Sequence, residues 1–198
     1  VFDGAPQDSI DVNSESSDVD DDDVIYKFNT SYSFSDDVMA YLTVSEGYRL
    51  GGVNSVPPCL QPLEPGQNVC ALSDEITYEP DKTTNYELGV HSQFGDSLRL
   101  NGSVYYIEWD AVQLDSITQN GDIPILSNGG AAKSTGIELS TQYYVMTNFS
   151  LSGAFAWTDA ELTQDVDNLF APGVGAFDGD RLPGTPEYQA YVAAHYEI

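Results

Sequence analysis

The chain has 198 residues, of which 32 are acidic and 6 basic, so its net charge is −26. This balance excludes nucleic-acid binding and docking on an anionic membrane surface, because both depend on Lys and Arg. Hydrophobic residues make up 41% of the sequence, too many for a disordered acidic chain, while no stretch approaches the roughly eighteen apolar residues of a membrane helix.

The first segment, residues 1–23, ends in an acidic run from Asp18 to Asp23. The run suggests calcium binding, but it lacks the Gly at the sixth position and the Glu at the twelfth that an EF-hand loop needs. We therefore interpret the segment as a solvated acidic loop and predict no metal site in it.

From residue 24 onward the sequence alternates with period two. In the run from Tyr26 to Phe34, aromatic residues occupy the even positions apart from Thr30, and polar residues occupy all of the odd ones, which is typical of a half-buried strand. Seven runs share this plan, and helical periodicity is weak throughout. The predicted strands lie near 24–34, 38–50, 83–94, 97–115, 133–145, 149–162 and 186–198.

The connections between these runs alternate in length. Tight turns at 35–37, 95–96 and 146–148 alternate with long loops at 51–82, 116–133 and 163–181, which are rich in Gly, Pro, Asn and Asp. Transmembrane barrels alternate in this way, and their apolar faces end in aromatic girdles, as the runs here do near the turns. We predict an all-β fold, an antiparallel up-and-down transmembrane β-barrel segment; a soluble β-sandwich would show the same residue alternation.

Two cysteines, Cys59 and Cys70, flank a proline-rich stretch in the first long loop. Their spacing is not a zinc pattern and no His lies near them. A disulfide that closes this loop is the simplest interpretation, and it would imply an oxidising compartment. The alternative is two free thiols in a loop.

Several stretches also read as consecutive motifs of one known family. They are YLTVSEGYRLGG at 41–52, YEPDKTTNYELGV at 78–90, NGSVYYIEWDAVQL at 101–114, NGGAAKSTGIEL at 128–139 and RLPGTPEYQAYVAAHY at 181–196. In this order and spacing they resemble the barrel strands of TonB-dependent outer-membrane receptors. The chain departs from that pattern at Asp81 and Lys82, where the family often has Glu and a short aliphatic residue, and residues 1–23 have no match.

The resemblance implies a barrel of about 22 strands plugged by an N-terminal domain. Under it, residues 1–23 are the remnant of an extracellular loop and residues 24–198 are a barrel segment, a fragment from the C-terminal third. The implied function is active transport of a scarce nutrient across the bacterial outer membrane, energised by the TonB complex through the plug. Ferric siderophore is the leading ligand, with oligosaccharides or cobalamin behind it.

The same resemblance implies no enzymatic activity and no cofactor, with outer-membrane lipid as a further partner and no nucleic acid. Two alternatives of other classes stay open. One is a secreted carbohydrate-binding or adhesive β-sandwich protein, and the other is a passive porin.

The candidate ligand-binding residues are Arg49, Trp109, Tyr105 and Glu87. By parity, Arg49 and Trp109 face the lumen near the outer ends of their strands, where Arg can grip a carboxylate or phosphate and Trp can offer a stacking face. The alternative is that both brace the loops. Tyr105 and Glu87 face inward too, and we expect them to belong to a lumenal hydrogen-bond network.

A catalytic site is not expected among the remaining polar residues. Metal or triad chemistry would require His91 and His195 to meet, and they lie far apart in sequence. Glycoside hydrolysis would require a carboxylate pair, and nothing in the spacing of the candidates favours that over plain lumenal polarity. Those candidates are Glu87, Glu108, Glu138 and Asp110.

Overall fold

A computed structural model describes residues 23–60, 68–171 and 174–197 of the chain. The acidic run predicted to be a loop remnant lies outside these residues, apart from Asp23. The elements in chain order are β1 (Lys27–Ser33), β2 (Val38–Arg49), β3 (Gly52–Val53), α1 (Ser73–Ile76), β4 (Thr77–Tyr78), β5 (Asp81–Phe94), β6 (Leu98–Asp110), β7 (Gln113–Ile117), β8 (Pro124–Asn128), β9 (Ala132–Met146), β10 (Phe149–Leu162), β11 (Val166–Ala171), β12 (Val174–Ala176) and β13 (Tyr188–Tyr196).

Seven long strands form one sheet in the order β1-β2-β5-β6-β9-β10-β13, and every pairing is antiparallel. Each long strand pairs with the long strands that precede and follow it along the chain. The prediction of an antiparallel up-and-down sheet of seven strands is confirmed. The pairs β3–β4, β7–β8 and β11–β12 are separate two-stranded sheets within the long connections.

The two faces of the large sheet differ in chemistry, as the alternation predicts. One face presents apolar side chains that stay open to their surroundings: Leu88 is 54% exposed, Leu139 is 51% and Val192 is 86%. The described residues place no second layer of structure over this face, as a soluble sandwich would. Hydrocarbon is the solvent that suits such a face, because pairing between neighbouring strands satisfies the backbone groups there.

The buried apolar residues concentrate at the end of the sheet where the long connections lie. Val112, Ala132, Leu162 and Val166 form the cluster, with Trp109 and Leu114 packed against it. The compact part of the molecule is therefore the layer of connections, which we call the outer loops: the first comprises residues 50–60 and 68–80, the second 111–131 and the third 163–187. The opposite end carries only tight turns.

The structure differs from the predicted strand at 97–115, because β6 ends at Asp110 and β7 starts three residues later. Between them Ala111 has φ 52°, an uncommon conformation for a residue with a side chain. Two contacts hold this bend: Asn128 Nδ2 donates to the Ala111 carbonyl at 2.7 Å, and the Val112 amide donates to the Gly130 carbonyl at 3.0 Å. Among the described residues, no helix is long and apolar enough to cross a membrane.

Candidate functional site

The outer ends of three strands meet at the carboxylate of Asp81, whose side chain is only 2% exposed. The β2–β5 register places Arg49 directly opposite Asp81. Arg49 Nε lies 3.0 Å from each carboxylate oxygen, and its Nη2 also pairs with Oδ2. Trp109 Nε1 donates to Oδ2 at 2.9 Å. The backbone amide of Gln113 donates to the same oxygen at 3.2 Å. Because a buried carboxylate is costly unless it is paired and hydrogen-bonded, these donors compensate for its burial.

Amide side chains extend this network into the outer loops. Gln113 Nε2 donates to the carbonyls of Leu50, at 2.9 Å, and Glu79, at 3.0 Å. Asn128 also donates to the Glu79 carbonyl, and its Oδ1 accepts from the Glu79 amide at 2.7 Å. The strands diverge here, so side-chain amides satisfy backbone groups that no neighbouring strand can reach.

The structure brings the predicted residues Arg49 and Trp109 together. The guanidinium carbon of Arg49 lies 5.2 Å from the centroid of the Trp109 ring, within cation–π distance. Both side chains bind Asp81, and Arg49 Nη2 donates to the Gln113 carbonyl at 3.3 Å. This is the bracing arrangement that the sequence left open. The Arg49 side chain is still 53% exposed, so contact with a ligand remains a prediction.

Tyr105 and Glu87 lie opposite each other on neighbouring strands, on the same inner face as Arg49. Glu87 accepts a hydrogen bond from the Tyr41 hydroxyl, and the Tyr105 hydroxyl lies 2.9 Å from Thr158 Oγ1. The Tyr41 ring rests on Gly89, where an added Cβ would collide with it. Both residues therefore make hydrogen bonds on the inner face, as expected. Their contact with a ligand stays a prediction.

Below the outer loops, the inner face lines an open hollow of about 660 Å³. The carboxylates of Glu87 and Glu138 both line it, and its lining in the described residues contains no Lys or Arg. His91 stacks on Tyr41 with ring centroids 5.0 Å apart, and its Nδ1 lies 2.9 Å from Asn101 Oδ1. This histidine is accounted for by structural contacts.

Among the described residues, no group of three His, Cys, Asp or Glu is placed to hold a metal ion. The two histidines of the chain do not meet: His91 lies in the hollow, while His195 contacts Glu197 at the turn end, with Nε2 3.5 Å from the carboxylate. Of the carboxylates considered for glycoside hydrolysis, Glu87 and Glu138 line the same hollow, while Glu108 and Asp110 have the opposite parity on β6.

Comparison with known proteins places this sheet in a family. Residues 2–198 match the family described as TonB dependent receptor-like, beta-barrel. The chain belongs to this family. Its members are bacterial outer-membrane proteins, and barrels of this kind present an apolar face to lipid and a polar face to their interior.

Individual relatives agree with this assignment. The pesticin receptor of Yersinia pestis is 28% identical over 172 residues, which are 86% of this chain and 22% of that receptor. Two solved structures share the fold. The ferric yersiniabactin uptake receptor FyuA from Yersinia pestis has a TM-score of 0.64 at 24% sequence identity. The match covers 87% of this chain and 22% of the FyuA chain. The siderophore receptor PiuA from Acinetobacter baumannii has a TM-score of 0.62 at 17% sequence identity. The match covers 88% of this chain and 24% of the PiuA chain. The chain thus spans about a fifth of the length of these relatives.

In this barrel segment the disulfide lies within the first outer loop, and contacts beside it link that loop to the second. Cys59 and Cys70 are bonded, with their Cα atoms 4.9 Å apart. The Cys70 amide donates to the Asn120 carbonyl at 3.1 Å, and Asn120 Nδ2 lies 3.6 Å from the Cys59 sulfur. Gly121 follows with φ 94° and approaches the backbone of Val69 so closely that a Cβ would not fit.

Two further side chains lock the same loops of the receptor barrel and were not predicted. Asn54 pairs with Leu126 as a strand would, donating to its carbonyl at 2.8 Å and accepting from its amide at 2.9 Å. Glu75, which is 8% exposed, accepts from the Gln119 amide at 2.8 Å. The sequence analysis also did not predict that Asp81 would bind Arg49 and Trp109. Two features of the sequence pointed to it: Asp81 has the same parity as Arg49, and it departs from the family motif.

Proposed function

We propose that this chain is part of a receptor that takes up ferric siderophore across the outer membrane, energised by the TonB complex. Membership of the family over residues 2–198 carries the proposal. The relatives add the ligand class, since they are named a ferric yersiniabactin uptake receptor, a siderophore receptor and a pesticin receptor. We therefore favour ferric siderophore as the ligand over oligosaccharides and cobalamin.

The ligand-contacting part of this proposal rests on the position of Arg49 and Trp109. Both face the barrel interior directly beneath the outer loops, where a solute entering from outside arrives first. The half-exposed guanidinium suits an anionic group of a ligand, and the indole suits a flat or aromatic one. We assign them to ligand binding, with the inner network around Tyr105 and Glu87 supporting the wall below.

A plug domain carried elsewhere in the full-length protein is the partner that we assign to the hollow. Glu87 and Glu138 both line it, and none of the described residues beside them in that lining is Lys or Arg. If a plug covers them, their carboxylates leave water, and they then need a positive partner or must bind a proton. A basic side chain of the plug would provide that partner. The protein binds and moves its ligand in this scheme, and no covalent chemistry is assigned to it.

Iron uptake by the full-length protein tests the proposal. The protein is expressed in a Gram-negative host that lacks its own siderophore receptors, and cell-associated radioactive iron is counted with a panel of ferric siderophores. We expect accumulation that disappears when TonB is deleted. Absence of TonB-dependent accumulation with every siderophore in the panel would refute the proposed function.

A matched pair of arginine variants tests the assigned contact. Arg49→Gln should weaken siderophore affinity about tenfold or more, because a hydrogen bond to a charged group is lost. Arg99→Gln removes the same charge from the same inner face at the turn end and should leave affinity unchanged. Equal affinity in both variants would remove Arg49 from the binding site.

A further inference from the structure

We propose that Asp81 is a positioning residue: its buried carboxylate fixes the base of the second outer loop, and through it the first, so that the two loops form one preformed wall beside the barrel mouth. The link to ligand capture rests on the proposed receptor function. The structural hold of Asp81 can be measured with no ligand present.

The first step of the argument is the number of elements that converge on one acceptor. Asp81 lies on β5 and binds Arg49 from the end of β2, Trp109 from the end of β6 and the first amide of β7. A neutral side chain of the same shape cannot accept from all of these donors. Several part-buried donors would then lose their partner, and each such loss is costly.

The second step is the position of the Gln113 amide. It is the first residue of β7, directly after the bend at Ala111 and the fully buried Val112. The bond from this amide to Asp81 at 3.2 Å therefore fixes the direction in which β7 leaves the barrel wall. The hairpin of β7 and β8 starts from that point.

The third step links the second outer loop to the first. At the base, the Gln113 side chain binds the carbonyls of Leu50 and Glu79, where the first loop leaves and rejoins the sheet. Farther out the loops share the Asn54–Leu126 pair and the Glu75–Gln119 bond. Displacement of the β7–β8 hairpin would break these bonds, so the two loops hold or loosen together.

Hydrogen exchange of the full-length protein in detergent tests the structural hold. In Asp81→Asn, backbone amides of residues 113–117 and 50–56 should exchange about tenfold faster than in the wild type. Asp110→Asn is the matched control: it is the same isosteric change on the adjacent strand, at an exposed side chain. It should exchange as the wild type does, and residues 33–39 at the turn end should be unaffected in both variants.

Two more variants separate a positioning role from general damage. Asp81→Glu keeps the carboxylate and should restore slow exchange in part. Gln113→Ala keeps its backbone bond to Asp81 but loses the two side-chain bonds, so exchange should accelerate at 50–56 while 113–117 changes less. This variant decides the question if Asp81→Asn does not assemble.

Siderophore affinity provides the last measurement, with at least about a fivefold loss expected in Asp81→Asn, since its partners in the wall are left unpaired. The inference is overturned if exchange in Asp81→Asn equals that in Asp110→Asn, or if the loops loosen and affinity does not change. If the wild type binds no ferric siderophore, the receptor function fails separately, and the exchange result alone decides the hold of Asp81.

Discussion

At the scale of single residues, neighbours along one strand meet two different solvents. Leu139 lies in the middle of β9 on the apolar face of the sheet and is 51% exposed. The next residue, Ser140, turns inward and accepts a hydrogen bond from Asn101 Nδ2 at 3.1 Å. In a transmembrane barrel, one step along such a strand separates hydrocarbon from the wet interior.

This contrast predicts unequal costs for the same substitution. Leu139→Arg should destabilise the folded barrel by about 2–4 kcal/mol, because it places a charge near the bilayer midplane. Ser140→Arg should cost less, since its charge enters the aqueous interior. Urea unfolding of the full-length protein in lipid vesicles measures both. Similar free energies of unfolding for the two variants would show that the faces are wrongly assigned.

At the scale of the elements, the long strands could be predicted from the sequence and the outer loops could not. Period-two alternation depends on which side of the sheet each residue faces, so it is visible locally. The hairpin of β7 and β8 depends instead on Asn54, which pairs with a residue 72 positions away. No local pattern carries that information.

The candidate site was predictable to a similar extent. Parity placed Arg49 and Trp109 on the inner face, and the structure brings them within cation–π distance. The role of Asp81 depends on the register between β2 and β5, which period-two alternation restricts only to shifts of two residues. Asp81, which binds the other residues of the site, was therefore harder to identify from the sequence than Arg49 and Trp109.

The disulfide of the first outer loop gives a prediction at this scale. Cys59 and Cys70 close a loop with a sequence separation of 11, for which chain entropy gives roughly 3 kcal/mol of constraint on the unfolded state. The barrel is held by strand pairing that lipid makes obligatory. The double variant Cys59→Ser/Cys70→Ser should thus assemble normally, with heat-modifiable migration on gels, and bind ligand more weakly.

The double variant is preferred because it leaves no unpaired thiol. The same gel on wild-type protein, with and without reductant, is its control. Loss of the heat-modifiable form on removal of the cysteines would show that the disulfide supports the barrel itself.

At the scale of the whole molecule, the difference between the two ends of the sheet predicts its orientation in the membrane. The connections at one end are long, and the turns at the other end are tight. Single cysteines placed at Asp36 or Asp96 should be shielded from an impermeant thiol reagent on intact cells, while cysteines at Gln164 or Asp178 should react. The native cysteines are bonded and do not compete. The reverse pattern would invert the molecule in the membrane.

The strand order also affects the sequence of steps in which the sheet can fold. Because each long strand pairs only with those before and after it in the chain, the sheet can grow one hairpin at a time, with little chain entropy lost at each addition. The Asn54–Leu126 and Glu75–Gln119 bonds join connections on either side of the β5–β6 hairpin. They can form only after that hairpin has brought the two connections together, so the wall of the barrel exists before its mouth takes shape.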